Sequence, residues 1–425
     1  MNYLKKKNYI IGIVVFILGL IIGFGAGYSK INTNSKHIEA ETIEETLEWS
    51  KETLETNRLF LSQETEPIET QTQIIEQESQ TETKKEIQTE KEIQTEKEIQ
   101  TEREIQTEGE IKHEEETKQE EPVLKEEFKV IAYYPSWKPK ELSKIQYDII
   151  THIIYAFAIP NSDGSLQPLE NPEIAKNIIE TAHQNNRKVM LAVGGWSYNG
   201  NLLEDVFKQA TETEEKRKKL VDSIMELCEE YQFDGIDLDW EYPRVNNTSE
   251  QYKEFILLLK ERLQEKGKLL TVAVLGGVSE EGVVYHNTAA YSDEVLNAID
   301  WIHVMAYDGG NGGQHSSYEL AINCATYWKE TRNLPSEKVV LGVPFYGRPF
   351  GTPYQEILTV DTEADKKDST MINGSQIWYN GRDMIQKKTR YAIENLGGIM
   401  IWEVAQDTTD KEKSLLTAIG EEIKK

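Results

Sequence analysis

From Phe128 to the C-terminus the chain alternates short apolar runs with amphipathic segments, and this rhythm narrows the possible folds more than any other feature. The runs are KVIAYYPSW (129–137), THIIYAFAI (151–159), KVMLAVGGW (188–196), FDGIDLDWEYP (233–243), LLTVAVLGG (269–277), WIHVMAYD (301–308), KVVLGVPFYGR (338–348) and GGIMIWEVAQD (397–407). Helix-like stretches such as TSEQYKEFILLLKERLQEKG and SYELAINCATYWKETR separate most of them, and KEKSLLTAIGEEIKK follows the last. Alternating β and α segments imply a parallel sheet. Eight such units over about 300 residues predict a closed (β/α)8 TIM barrel, with an open doubly wound sheet as the alternative. No glycine fingerprint of the dinucleotide-binding kind follows the first run, which counts against the open sheet.

The material before Phe128 has another character. Three lysines, Lys5 to Lys7, precede an apolar stretch from Tyr9 to Tyr28 that is long enough to span a bilayer. The lysine bias predicts an N-terminus inside the cell and a catalytic domain outside, so residues 1–28 are expected to be a cytoplasmic tip and transmembrane anchor. A cleavable signal peptide is the alternative, and it also exports the rest. Residues 29–127 are rich in Glu, Thr and Gln, and residues 41–127 alone carry a net charge of about −18 of the total −27. A hexad repeats here: KEIQTE at 85–90, 91–96 and 97–102, REIQTE at 103–108 and GEIKHE at 109–114. Six residues turn a helix by about 240° per isoleucine, so no continuous coiled-coil stripe forms. A disordered acidic spacer is expected, holding the barrel of residues 128–425 away from a membrane. Acidity of this size argues against a nucleic-acid partner, because phosphate binding requires clustered Lys and Arg. Cys228 and Cys324 fall in helix-like segments without metal-ligand spacing, and buried thiols are expected.

The fourth run is the unusual one. It holds Asp234, Asp237, Asp239 and Glu241 within eight residues, among Ile, Leu and Trp. Side chains alternate along a strand, so Asp237, Asp239 and Glu241 share the barrel face, and Ile236, Leu238 and Trp240 share the helix face. Asp234 is out of parity and belongs to the strand's start. Glu241 comes last, at the end of the strand where barrel active sites lie. Carboxylates this close cannot all ionise, so at least one proton is shared. A structural role and a Mg²⁺ or Ca²⁺ site are the alternatives. The run is flanked by tryptophan and tyrosine, which suit a sugar face better than a hard cation.

DGIDLDWE (234–241) matches the DxxDxDxE signature, and the sequence here resembles glycoside hydrolase family 18, the chitinases and their relatives. LAVGGW (191–196) is similar to the SxGG strand of that family, MAYD (305–308) to its MxYD strand, and GGIMIWE (397–403) to its last strand. The resemblance covers about residues 129–425 and implies hydrolysis of β-1,4-linked N-acetylglucosamine polymers with retention. Glu241 would be the general acid and then the base. The acetamido oxygen of the substrate would be the nucleophile, a recognised exception to the two-carboxylate scheme. Asp239 would orient the acetamide and offset its developing charge, and Asp237 would share a proton with Asp239. Tyr307 would donate to the acetamido oxygen, Asp308 would contact sugar, Trp402 would floor the site, and Tyr133 would support the acidic pair. Tyr242 and Met305, within the matched motifs, are further substrate-binding candidates. For Trp137, Trp196, Tyr346 and Arg348 a subsite role and simple packing are both open. The scheme has no role for a metal or organic cofactor, and the chain is expected to act as a monomer.

Three departures from the family pattern stand out. The serine of SxGG is Ala192, so one hydrogen bond to the acidic cluster is expected to be missing. Ala132 replaces the usual glycine before the first-strand tyrosine. Only about 30 residues separate Arg348 from Trp378, too few for the α+β insertion of deep-cleft members, so an open groove and endo cleavage are expected. N-glycan cores and peptidoglycan carry the same acetamide and remain alternative substrates. A non-catalytic lectin on this barrel would lack the terminal glutamate, which is present as Glu241.

Overall fold

In the computed structural model, which describes residues 128–309 and 313–425, all eight apolar runs are parallel strands. They are β1 (Lys129–Pro135), β2 (His152–Ala158), β3 (Lys188–Gly195), β4 (Gly235–Trp240), β5 (Leu269–Leu275), β6 (Trp301–Met305), β7 (Val339–Pro344) and β8 (Gly398–Trp402). Each pairs with its neighbours in sequence, and β8 closes on β1 through Lys129 to Ala132 against Gly398 to Ile401. The expected closed barrel is therefore the fold. The expected membrane anchor and acidic spacer lie outside the described residues. Among the described residues, no helix is long and apolar enough to cross a membrane.

The helices are α1 (Pro172–Gln184), α2 (Leu203–Ala210), α3 (Glu214–Tyr231), α4 (Ser249–Glu265), α5 (Asp293–Ala298), α6 (Tyr318–Thr326), α7 (Tyr354–Val360), α8 (Arg382–Asn395) and α9 (Leu415–Ile423). Side-chain caps mark several starts: Ser317 accepts from Leu320 N at 3.0 Å and Ser414 from Thr417 N at 3.0 Å. The β1–β2 connection departs from the repeat. It holds a 3-10 turn, Leu142–Lys144, instead of a helix. Pro139 interrupts this segment, and a proline removes a helix hydrogen bond and clashes with the preceding turn. The β7–β8 connection carries α7 and a small hairpin of Ser369–Ile372 with Ser375–Trp378. Arg348 bridges Trp378 at its base.

Two apolar layers hold the barrel. Strand residues facing out pack with the helices, including Ile236, Leu238 and Trp240, all essentially buried. Residues facing in form a second cluster: Ile131, Tyr133, Ile154, Ala156, Met190, Ala192, Trp301, Val340 and Met400. This parity is what permits acid in the barrel. Burying Ile236, Leu238 and Trp240 on the far face contributes roughly 1.5–3 kcal/mol each. That is comparable to the several kcal/mol an ionised carboxylate costs in a low-dielectric interior. Cys228 on α3 and Cys324 on α6 are buried free thiols. Burial pushes the Cys228 thiol up to about 11 and the Cys324 thiol up to about 12, so both stay protonated and inert.

On β3, Gly194 pairs with Asp239 of β4. Gly194 has φ +127°, and a Cβ there would lie 2.1 Å from the Asp239 carbonyl oxygen. No side chain fits without moving the acidic strand. Gly194→Ala is expected to destabilise the fold by about 2 kcal/mol or more, read as a fall in the denaturation midpoint.

Candidate active site

β4 delivers its carboxylates to the C-terminal mouth in order of depth. Asp237 is 0 % exposed, Asp239 is 5 % exposed, and Glu241 follows the strand's last residue and is partly exposed. Asp234 lies at the opposite end, where its Oδ2 accepts from Val189 N at 2.7 Å and meets His183 Nε2 at 2.9 Å. It ties α1 and β3 to the strand start and takes no part in the cleft.

Above the carboxylates opens a cleft of about 790 Å³. Its lining contains Tyr133, Trp137, Trp196, Asp239, Glu241, Tyr242, Met305, Tyr307, Asp308, Tyr346, Arg348 and Trp402. The structure thus gathers every candidate named from the sequence except Asp237, which sits beneath Asp239. Aromatic rings pave one flank: Phe157 lies 5.8 Å from Trp402, tilted to it by 33°, and 6.2 Å from Trp137, stacked on it. Trp196, 53 % exposed, faces Tyr242 across 6.4 Å. Exposed flat rings of this kind offer their faces to sugar C–H groups.

Burial dominates the electrostatics. It pushes the Glu241 carboxyl up to about 7, with the nearby Asp308 charge adding to the shift. Burial, then Glu241 and Asp237, raise the Asp239 carboxyl well above the usual range. Asp239 Oδ1 is buried and has no partner among the described groups. Asp308 behaves in the opposite way. Burial would raise it, but Arg348 donates to both its oxygens, His315 Nδ1 lies 3.1 Å away and the Tyr346 hydroxyl donates at 2.8 Å. Together these hold its carboxyl below the usual range. Asp308 is therefore a fixed anion, clamped at the rim.

Ala192 offers no hydroxyl, as expected, yet Asp237 itself is not left short of donors. Asp237 pairs in register with Ala192 on β3 and Thr271 on β5. The Thr271 hydroxyl donates to Asp237 Oδ1 at 2.7 Å, and the Tyr133 hydroxyl donates to Oδ2 at 2.5 Å. The hydroxyl absent from one neighbouring strand is supplied by the other. His303, also in contact with Asp237 at 3.1 Å, is a second support that sequence reasoning missed. Thr271, His303, Phe157 and His315 all lie in or beside recognised runs, but nothing in their spacing reveals which strand they face.

The fold and this acid stack define a barrel of the kind that works on carbohydrates. The family model "Glycosyl hydrolases family 18" matches residues 129–407, about two thirds of the chain, and the protein belongs to that family. A "chitinase-like effector" of Moniliophthora roreri is 30 % identical over 249 residues, 52 % of this chain and 58 % of that protein. Chitotriosidase-1 of Mus musculus is 28 % identical over 260 residues, 52 % of this chain and 54 % of that protein. The chain thus spans about half the length of these curated relatives. The GH18 chitinase ChiB from the chitin utilization locus of Flavobacterium johnsoniae superposes with a TM-score of 0.60 at 30 % identity, covering 70 % of this chain and 94 % of that one.

The Thr271 contact yields a direct test. Thr271→Val keeps the volume and removes the donor, and is expected to lower kcat/KM about tenfold, the scale of one net hydrogen bond to a charged group. The acid limb of the pH profile should move to higher pH, because the carboxylate form loses support. Adding Ala192→Ser to that variant should restore most of the loss, since residue 192 faces Asp237 from the other side.

Proposed function

We propose that this protein is an exported, membrane-tethered hydrolase of β-1,4-linked N-acetylglucosamine polymers. It cleaves within the chain, with retention, using the substrate's own acetamide as nucleophile. The observation that carries this reading is the division of labour among the cleft carboxylates. Asp308 is held at the rim by Arg348 on both oxygens and by Tyr346 and His315 on Oδ1, so it is fixed as an ion-paired anion rather than free to reach an anomeric carbon. Asp239 sits two residues below Glu241 on the same strand face, so the two reach the same side of a bound sugar. Among the described cleft residues no further carboxylate stands opposite Glu241 to attack. An orphaned, buried Asp239 Oδ1 is suited to accept from the acetamide N–H.

Each step then has a group matched to it. Glu241, protonated to about pH 7, gives its proton to the glycosidic oxygen. The acetamido oxygen closes on the anomeric carbon to form an oxazolinium. Asp239 offsets the positive charge that develops on the ring nitrogen, and Tyr307 donates to the acetamido oxygen. Glu241, now ionised, takes a proton from water, which opens the ring from the other side. Trp402 supports the distorted sugar from below, and the stretch of only about 30 residues between Arg348 and Trp378 leaves the groove open for long chains. The tether rests on the lysine-flanked apolar stretch Tyr9–Tyr28, and the reach on the acidic residues 29–127. Product analysis on chitin oligomers, an N-glycoprotein and peptidoglycan side by side tests the substrate. Cleavage of only the second or third would reassign it.

Glu241→Gln is expected to lower kcat on an N-acetylglucosamine oligomer by at least about 10²-fold with oligomer binding retained. In the wild type, kcat/KM should fall as pH rises through about 7, as the acid is lost. Stability gives the same sign. Burial raises the folded carboxyl from its ordinary 4.5 to about 7, so the folded state binds the extra proton and the charged form is penalised above that window. Glu241→Gln should therefore raise Tm at pH 8 and leave it little changed at pH 4. Activity within tenfold of wild type would remove Glu241 from its role.

A further inference from the structure

Below the acid stack, the barrel axis holds a second chain of polar contacts. Trp301 and His303 are two residues apart on β6, and both point inward. The Trp301 indole N–H donates to His303 Nε2 at 2.7 Å. An indole can only donate, so Nε2 must present a lone pair. The imidazole is then neutral, with its proton on Nδ1. That Nδ1 lies 3.1 Å from Asp237 Oδ1 and 3.0 Å from the Tyr133 hydroxyl. Asp237 also receives the hydroxyls of Thr271 and Tyr133. Every group that meets its oxygens is a donor, which favours its ionised form. Asp239, the next inward carboxylate, has one oxygen with no such donor.

We propose that Trp301 is a positioning residue: its indole locks His303 as the neutral Nδ1–H tautomer, which keeps Asp237 the accepting carboxylate and puts the shared proton of the acidic pair on Asp239 in the free enzyme. This rests on the reading of Asp239 and Glu241 as the reacting pair, and deepens it. The other groups around His303 do not compete for this role. From β1 come Tyr133 and Lys129, whose amine lies over the Trp301 ring at 5.2 Å. From β2 comes His152, edge-on to Trp301 at 5.2 Å and held down to about 3 by burial and then by the Lys188 charge, so it stays neutral. From β4 come Asp237 and Asp239, and from β5 the uncharged Thr271. β7 and β8 contribute Val340 and Met400 to the same inner cluster.

The test uses the full chain and two readouts. Trp301→Phe frees Nε2 to bind a second proton, which places an imidazolium beside Asp237. A cation there favours ionised carboxylates, so both limbs of the kcat/KM profile should move to lower pH, by about one unit. His303→Asn keeps a side-chain N–H near the position of Nδ1 and should hold the limbs where they are. The double variant Trp301→Phe/His303→Asn should do the same, because the asparagine donor needs no lock. A merely structural Trp301 would lower Tm and kcat without moving either limb. Unmoved limbs in a folded Trp301→Phe, or an equal shift in the double variant, would overturn the proposal. The second readout is ¹⁵N-histidine NMR of the wild type, with His303 assigned by its loss in His303→Asn. One neutral, Nδ1-protonated ring, unchanged by pH across the active range, is expected; an Nε2–H ring or an imidazolium refutes it. The NMR result stands even where Trp301→Phe fails to fold. It also stands where the wild type cleaves no N-acetylglucosamine polymer, an outcome that would remove the functional reading alone.

Discussion

Everything in the mouth of this barrel depends on three carboxyl groups being stacked along one strand face in a space that water barely reaches. Asp237 and Asp239 are buried, and Glu241 stands directly after them. Charges so placed cannot all persist, so the stack must hold protons, and where each proton sits is decided by the donors around it. Tyr133, Thr271 and His303 bring donors to Asp237 from three other strands. Nothing comparable serves Asp239 Oδ1. The bottom of the stack is thereby suited to be an anion, and the top to be an acid.

The rim obeys the reverse logic. Asp308 is equally close to the cleft, yet a guanidinium, a histidine and a phenol neutralise and orient it. Its charge adds to the rise of the Glu241 carboxyl. Carboxyl groups within one cleft are thus driven to opposite protonation states by burial and by their partners. Aromatic rings on or just beyond β1, β2, β3 and β8 line the groove.

The strand order and the acid face were legible in the sequence because both follow from period-two alternation within single runs. Asp237, Asp239 and Glu241 could be assigned to one face from parity alone, with Ile236, Leu238 and Trp240 opposite. Contacts between strands were not legible in this way. Ala192 offers no hydroxyl, yet Thr271 serves Asp237 from the other neighbour of β4, and only the barrel register brings Thr271 level with Asp237. His303 and Trp301 sat in a recognised run, but their tie depends on an indole meeting an imidazole along the barrel axis. The first crossover also departs from the repeat, holding a 3-10 turn after Pro139 where the others hold a helix.

The central claim is that Asp239 is reserved for the substrate's acetamide, which does the work of a nucleophile. Calorimetric binding of a thiazoline analogue of the oxazolinium to wild type and to Asp239→Asn tests it most directly. The cyclised species should bind far more tightly than an uncleaved oligomer of the same length, because the site is complementary to it. Asp239→Asn should weaken it by about 10²-fold, the scale of one lost preorganised contact. Equal binding to both proteins, or a sugar found covalently attached to Asp239 or Glu241 during turnover, would contradict the account.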